Sequence, residues 1–279
     1  MTHRYSPRQY WTQVAEDFGN LDRSGLAPVL HPNTPEWYNR TIDAMQFRAI
    51  RRALDCAKLP SGARFLDVGC GTGRWLRRYE KWGFRATGID ATPRMLSLAK
   101  QCGTRCALVG GEAFRLPFAD CTFDAVSDVT VIQHIVPEAQ PQALAENLRV
   151  IKPGGRLILM ELIRGKGSHI FPRPPEHWIR GATSAGATLI SWFGQEFMMV
   201  DRAFVNSAHS IRGNELRSQN RTAVSIKNNT ARSQRTQQFY WKLRHITVPL
   251  SAAMESASRV FLPGELATHG VFIFRKGSL

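Results

Sequence analysis

Between residues 62 and 163, short apolar runs alternate with segments of helical period. Arg64–Val68, Arg85–Ile89, Cys106–Val109, Phe123–Val126 and Arg156–Leu162 read as buried strands. Between them, Arg74–Trp82, Pro93–Gln101 and Glu138–Ile151 read as helices. Pro93 suits a first helical turn, and Lys152-Pro153-Gly154-Gly155 stops the last of these helices. Strands alternating with helices predict a parallel sheet covered on both faces. Residues 1–60 read as mostly helical. The clearest piece is Arg40–Leu59, where Ile42, Met45, Ile50, Ala53, Leu54 and Ala57 recur at helical spacing before Pro60-Ser61-Gly62.

The second half is less regular. A helix is expected over Glu176–Ala187, a strand over Thr188–Phe193 and a last strand over Val271–Phe274. From Ile211 to His245 eight basic residues face one acid, Glu215, and the centre of that run has no hydrophobic period. It reads as a partly mobile, basic insertion, with Pro249 expected to break any long helix. The chain divides accordingly into an N-terminal helical lid (1–60), a core (61–205 and 264–279) and the insertion (206–263).

Composition narrows the class. The 279 residues are 43% hydrophobic and 21% charged, as in an ordinary globular protein. The apolar runs near Val126–Val136 and Leu157–Ile163 are too short to span a bilayer, and the N-terminus carries no apolar signal segment. Five cysteines (Cys56, Cys70, Cys102, Cys106 and Cys121) lack both a disulfide framework and zinc spacing. Free thiols in a reducing cytoplasm are therefore expected, with no metal site. The net charge of +15 favours an anionic partner without choosing among nucleic acid, membrane and acidic substrate.

The strongest chemical signal is Leu66-Asp67-Val68-Gly69-Cys70-Gly71-Thr72-Gly73. An apolar strand runs into three glycines spaced by two, then into a helix. Glycines let the backbone turn tightly and approach a ligand at the carboxyl end of the strand. Asp67 stands where a carboxylate can face a cationic amino group. Asp90 ends the next strand, where a carboxylate can accept bonds from ribose hydroxyls. The glycine spacing departs from the dinucleotide pattern, so a nicotinamide cofactor fits poorly.

With these residues the chain resembles a class I S-adenosylmethionine-dependent methyltransferase, of the broad group that includes the quinone-biosynthesis methyltransferases. The matching blocks are Leu66–Gly73, Gly88–Asp90, Gly111–Phe118, Phe123–Val126 and Leu148–Leu157, in the family's order. The resemblance implies a Rossmann-like three-layer α/β/α sandwich: a mostly parallel seven-stranded sheet with the last strand antiparallel, plus an N-terminal helical lid. It implies S-adenosylmethionine as cofactor and S-adenosylhomocysteine as product. Gly69, Gly71 and Gly73, with Cys70 between them, would line the methionine and ribose. Asp90, followed by Ala91, would hold the ribose hydroxyls. Glu112 and Ala113 would flank the adenine, where the family more often has aspartate then alanine. Thr130 would sit beside the cofactor.

Methyl transfer is an in-line displacement, helped by a base when the acceptor is a neutral hydroxyl or amine. The family often has paired histidines where this chain has Gln133-His134, so His134 is the first candidate base and Asp128 the second. A structural histidine and a cap residue are their plain alternatives. His169 and His177 flank a proline-rich stretch that could touch substrate or simply form a rigid loop. Lids in this family often come from residues before the first strand, which makes Trp11, Phe18, Trp37 and Tyr38 candidate substrate contacts.

The Asn/Asp-Pro-Pro-Tyr motif of amino-methylating DNA enzymes is missing after the fourth strand, where Asp128-Val129-Thr130-Val131 stands, so nucleic acid is disfavoured. The stretch Phe239–Ile246 mixes aromatic, aliphatic and basic residues and leaves open peripheral contact with an anionic inner membrane surface by a cytoplasmic enzyme. The expected activity is methyl transfer to an oxygen or nitrogen of a small molecule: a secondary metabolite, a quinone-like compound, or a glycan- or lipid-linked acceptor. The rival readings on the same fold are a non-catalytic S-adenosylmethionine-binding protein and a nucleic-acid-binding protein.

Overall fold

The computed structural model describes residues 5–19, 24–165, 167–212 and 231–278. Seven strands form one sheet in the order β3-β2-β1-β4-β5-β7-β6. They are β1 (Arg64–Val68), β2 (Arg85–Asp90), β3 (Ala107–Gly110), β4 (Phe123–Val129), β5 (Ile151–Leu162), β6 (Ala187–Gln195) and β7 (His269–Lys276). β1 to β5 pair in parallel, and β7 runs antiparallel between β5 and β6. This is the expected Rossmann-like sheet, and it places the carboxyl ends of β1, β2, β4 and β5 along one edge. Ligands bind at that edge in open α/β sheets.

The helices are α1 (Pro7–Phe18), α2 (Glu36–Ala57), α3 (Arg74–Lys81), α4 (Pro93–Gln101), α5 (Gln140–Val150), α6 (Pro175–Ser184), α7 (Met199–Arg212) and α8 (Ala231–Phe261). Local signals explain the early ones. The Ser6 side chain accepts from Gln9 N at the start of α1, and Pro93 opens α4. Lys58 takes a left-handed conformation after α2, and its N–H returns to Leu54 O.

Two apolar cores sandwich the sheet. On one face Ala49, Ile50 and Ala53 of α2, with Trp75 and Tyr79 of α3, pack on Phe65, Ile158 and Ile273. On the other, Leu144 and Leu148 of α5, with Trp178 of α6, pack on Leu66, Leu159 and Phe272. Strand residues therefore alternate between two buried faces, which is why these strands read as nearly continuous apolar runs.

The insertion departs from expectation. Its two ends are helical, as α7 and α8, while residues 213–230, including Arg217, Arg221 and Lys227, lie outside the described residues. Pro249 does not end α8 but lies within it. Tertiary anchors on both sides of the proline outweigh its local cost. Val248, Ser251 and Glu255 are buried against the protein. Ser251 Oγ accepts from Asp201 N at 2.9 Å, and Glu255 accepts from Glu196 N and Phe197 N at 2.6 and 3.1 Å.

Candidate cofactor and acceptor site

Strand β1 delivers the chain to the binding edge at Val68, and the glycine turn follows. Gly69, Gly71 and Gly73 have φ of 63°, 51° and 70°, the left-handed region where a side chain is strained. Space adds to conformation: a Cβ on Gly69 would lie 2.3 Å from Val131 Cγ2, and one on Gly71 would lie 2.7 Å from Val29 Cγ1. Asp90 fixes the turn from the neighbouring strand. Its Oδ2 accepts from Gly71 N at 2.9 Å and its Oδ1 from Thr92 N at 2.8 Å. Burial raises the Asp90 pKa, while these two N–H groups oppose that shift. Each carboxylate oxygen keeps a lone pair for a hydroxyl donor.

Beyond the turn lies a cavity of about 940 Å³, including its open mouth, a size that suits a drug-sized ligand. Its wall brings together ten of the expected residues: Trp11, Gly69, Cys70, Gly71, Asp90, Ala91, Glu112, Ala113, Thr130 and His134. Thr130 has φ 61° and donates its N–H to Met160 O at 2.7 Å, so the strand end is held in a strained turn beside the cavity.

Asp67 lies beneath this wall. Its Oδ1 accepts from Ser127 Oγ at 2.8 Å, while its buried Oδ2 has no partner among the described residues. Burial is the main cause of a carboxyl pKa pushed up to about 7.

Five expectations are corrected. Gly73 turns away from the cavity and caps α3, its Cα packed toward Thr104. Asp128 is fully buried, and its Oδ2 accepts from Asn147 Nδ2 at 2.8 Å. Burial pushes the Asp128 carboxyl up, and burial with the neighbouring Asp128 charge pushes Glu161 up. The Glu161 oxygens accept from Val131, Ile132 and Gln133 N–H, which shapes the loop after β4. Asp128 therefore serves the core rather than an acceptor. Phe18 packs in the α1–α4 cluster with Met95 and Leu98. Trp37 and Tyr38 pack with Trp241, Met198 and Val248 in the cap made by α2 and α8, away from the cavity wall. Helical spacing shows that an aromatic is buried, not which neighbour buries it.

His134 does reach the wall, but both ring nitrogens are engaged. Its Nδ1–H donates to His169 O at 3.0 Å, which leaves Nε2 to accept from Gln133 Nε2 at 3.2 Å. Burial pushes its pKa down to about 3. The ring is thus neutral and occupied, a wall group rather than a ready base. It also belongs to an aromatic ladder that ties α1 down. Trp11 meets the His134 ring edge-on at 4.9 Å, and His169 stacks on it at 5.5 Å. Tyr10 stacks on His169 at 4.3 Å, and Tyr5 Oη donates to His134 O at 3.1 Å. His177 lies apart, on α6 beside Trp178.

Several wall residues went unnoticed in the sequence. Arg8 lines the mouth, and no ion pair engages its guanidinium among the described residues. The other wall arginine, Arg74, is held by Asp43 and Gln46 at 2.9 and 2.6 Å. Trp75 also lines the cavity, and its buried indole N–H has no partner among the described residues. Met95, Phe114 and Ile135 complete the apolar part. Trp75, two residues after the glycine turn, was the one detectable signal. Arg8 lies in a stretch without pattern.

Residues 66–159 match the methyltransferase domain family. The matched stretch holds the glycine turn and Asp90. Among curated relatives, the chain is 34% identical over 128 residues to demethylmenaquinone methyltransferase of Renibacterium salmoninarum, covering 44% of this chain and 53% of the relative. It is 33% identical over 152 residues to malonyl-[acyl-carrier protein] O-methyltransferase of Erwinia pyrifoliae, covering 54% of this chain and 52% of the relative. The chain thus spans about half the length of the curated relatives it matches. Among solved structures, the [4+2]-cyclase SpnF superposes with TM-score 0.54 at 20% identity, over 83% of this chain and 81% of that one. That likeness is one of fold.

The residues present fit S-adenosylmethionine, the cofactor that the resemblance implies. Gly69 and Gly71 leave a cradle that any side chain would fill. Asp90 offers acceptors to paired hydroxyls, and Trp75 Nε1 is a buried donor awaiting an acceptor. Among the described residues no cluster of three or more side chains could hold a metal ion, and no helix is long and apolar enough to cross a membrane.

Proposed function

We propose that this chain transfers a methyl group from S-adenosylmethionine to an oxygen or nitrogen of a small-molecule acceptor. One observation carries the reading. A single cavity runs from the glycine turn and Asp90 to Trp11 of α1, so cofactor and acceptor would share one enclosure. S-adenosylmethionine, when bound, supplies a methyl group already activated by its sulfonium. The protein's residues have to orient the partners and exclude water. Asp90 and Glu112 orient the nucleoside. Trp11, Ile135 and the neutral ring of His134 close the acceptor side.

Among its described residues, the wall offers no base with a free lone pair apart from the carboxylates at the nucleoside end. The acceptor therefore enters with its nucleophile ready, as a carboxylate, a phenolate or a neutral amine. The unpaired guanidinium of Arg8 at the mouth favours an anionic acceptor. The name of the Erwinia relative, an O-methyltransferase, supports oxygen as the acceptor atom.

The test is calorimetric titration with S-adenosylhomocysteine, followed by transfer of labelled methyl groups to a panel of carboxylates and phenols. Micromolar binding and labelled product are expected, with Arg8→Ala raising KM more than it lowers kcat. Folded protein that binds no S-adenosylhomocysteine would overturn the reading. Binding without product across the panel would favour the non-catalytic alternative.

A further inference from the structure

Helix α8 carries an apolar face that the described residues leave uncovered. Val248, Ser251, Ala252, Glu255 and Ser258 point inward and are buried. On the outer side Ile246, Leu250, Met254, Val260 and Phe261 are 67, 47, 44, 75 and 81% exposed, and Phe239 continues the row at 58%. Pro249, Ala253 and Ala257 fill the spaces between them and are exposed too. From Ile246 to Phe261 the only charged side chains are Glu255 and Arg259, which are 3% and 7% exposed and pair with each other at 3.4 Å. The outer face is therefore free of charge over about 24 Å of helix, at 1.5 Å per residue. Apolar patches of this extent on a folded surface mark interaction sites.

The rim of this face is cationic. Lys242 is exposed toward its N-terminal end. Arg48 and Arg52 of α2 are exposed, and Arg52 lies over the Phe193 ring, 4.4 Å from its centroid, as Arg259 does at 5.8 Å, which places this stretch of α2 beside the C-terminal half of α8. The whole chain carries +15. Pairing two copies through this face would bring both sets of arginines and lysines together at a cost in repulsion. An anionic partner meets the rim favourably. The face is one convex helix side rather than a groove, the shape that lies in the plane of a bilayer interface.

We propose that the outer face of α8 docks on an anionic lipid bilayer, its apolar side chains entering the acyl boundary and Lys242, Arg48 and Arg52 meeting lipid phosphates. This stands independently of what the cavity transfers.

The test is flotation of the full chain with vesicles of phosphatidylcholine, alone or mixed with phosphatidylglycerol. Binding is expected with the anionic vesicles and should weaken as salt rises. L250E/M254E should weaken it at least about tenfold while leaving S-adenosylhomocysteine affinity and the thermal midpoint unchanged. Should that variant unfold, Phe261→Trp gives a second readout: its fluorescence should shift to the blue with anionic vesicles. Folded wild type that ignores both vesicle types, or a Phe261→Trp signal that does not respond, would overturn the proposal. So would a stable dimer in light scattering that L250E/M254E dissolves, since the face would then belong to a second copy.

Discussion

The glycine turn and the α7–α8 cap both rest on a carboxylate, yet they are assembled over different distances along the chain. Asp90 takes the N–H groups of Gly71 and Thr92, 19 and 2 residues away. Asp201 takes Arg244 Nε and Nη2 at 2.9 and 2.5 Å and Thr247 Oγ1 at 2.8 Å, 43 and 46 residues away. Arg244 also lies over Tyr38, Tyr240 and Trp241, with its guanidinium 4.8, 5.4 and 5.1 Å from the ring centroids. The first site is built from backbone groups whose positions the strand–turn–helix already sets. The second exists only after three helices have met. The cofactor edge should therefore be sensitive to single atoms, and the cap to the loss of a whole side chain.

Four substitutions break or sharpen that contrast. Asp90→Ala removes two charge-assisted acceptors at about 2 kcal/mol each. S-adenosylhomocysteine affinity measured by calorimetry should fall by about a thousandfold. A loss below tenfold would move the ribose site elsewhere. Arg244→Ala leaves Asp201 buried and unpaired and should cost about 3 kcal/mol in chemical denaturation. Cofactor affinity should be untouched, and an equal loss of affinity would show that cap and cofactor edge act as one unit.

Asp67→Asn tests the layer beneath the turn. The folded Asp67 pKa, about 7, lies above its ordinary value of 3.8, so the fold favours the protonated form. The stability this contributes is present below about pH 4 and is lost as pH rises to about 7. The variant should gain on wild type through that window by up to about 1.4 kcal/mol per pH unit and run parallel above it. Parallel curves throughout would show that Asp67 is ionised in the fold.

The smallest effect is expected for His134→Gln. With the ring held neutral by burial, its pKa near 3, the pH dependence of kcat should have the same shape near pH 6.5 in variant and wild type. Disappearance of an inflection there would restore His134 as a base.

Legibility follows the same divide. Arg64–Val68 and Pro93–Gln101 were readable to the residue because a buried strand and a proline-opened helix each carry their signal locally. The residues around Gly71 and Asp90 were readable because their chemistry lies within one βαβ unit. Trp37 and Tyr38 were assigned to the substrate, since a run of aromatics in a helix says only that something covers them; here it is Trp241. His134 was legible as a wall residue but not as an occupied one. Of its partners, Gln133 is held through its Oε1 by Leu162 N at the end of β5, and His169 O comes from the loop that follows. Pro249 suggested a break because its cost is local, whereas the anchors that overrule it come from α7 and the link between β6 and α7.

The sequence alone determined the alternation of strands and helices, the left-handed glycine turn and the carboxylate at the end of β2. Each of these follows from backbone sterics and contacts within some twenty residues. Tertiary structure decided which side chains share the cavity, which ring nitrogens are free, and that α8 turns its uncharged side outward. Those outcomes depend on surfaces brought together from distant parts of the chain, and no local pattern encodes them.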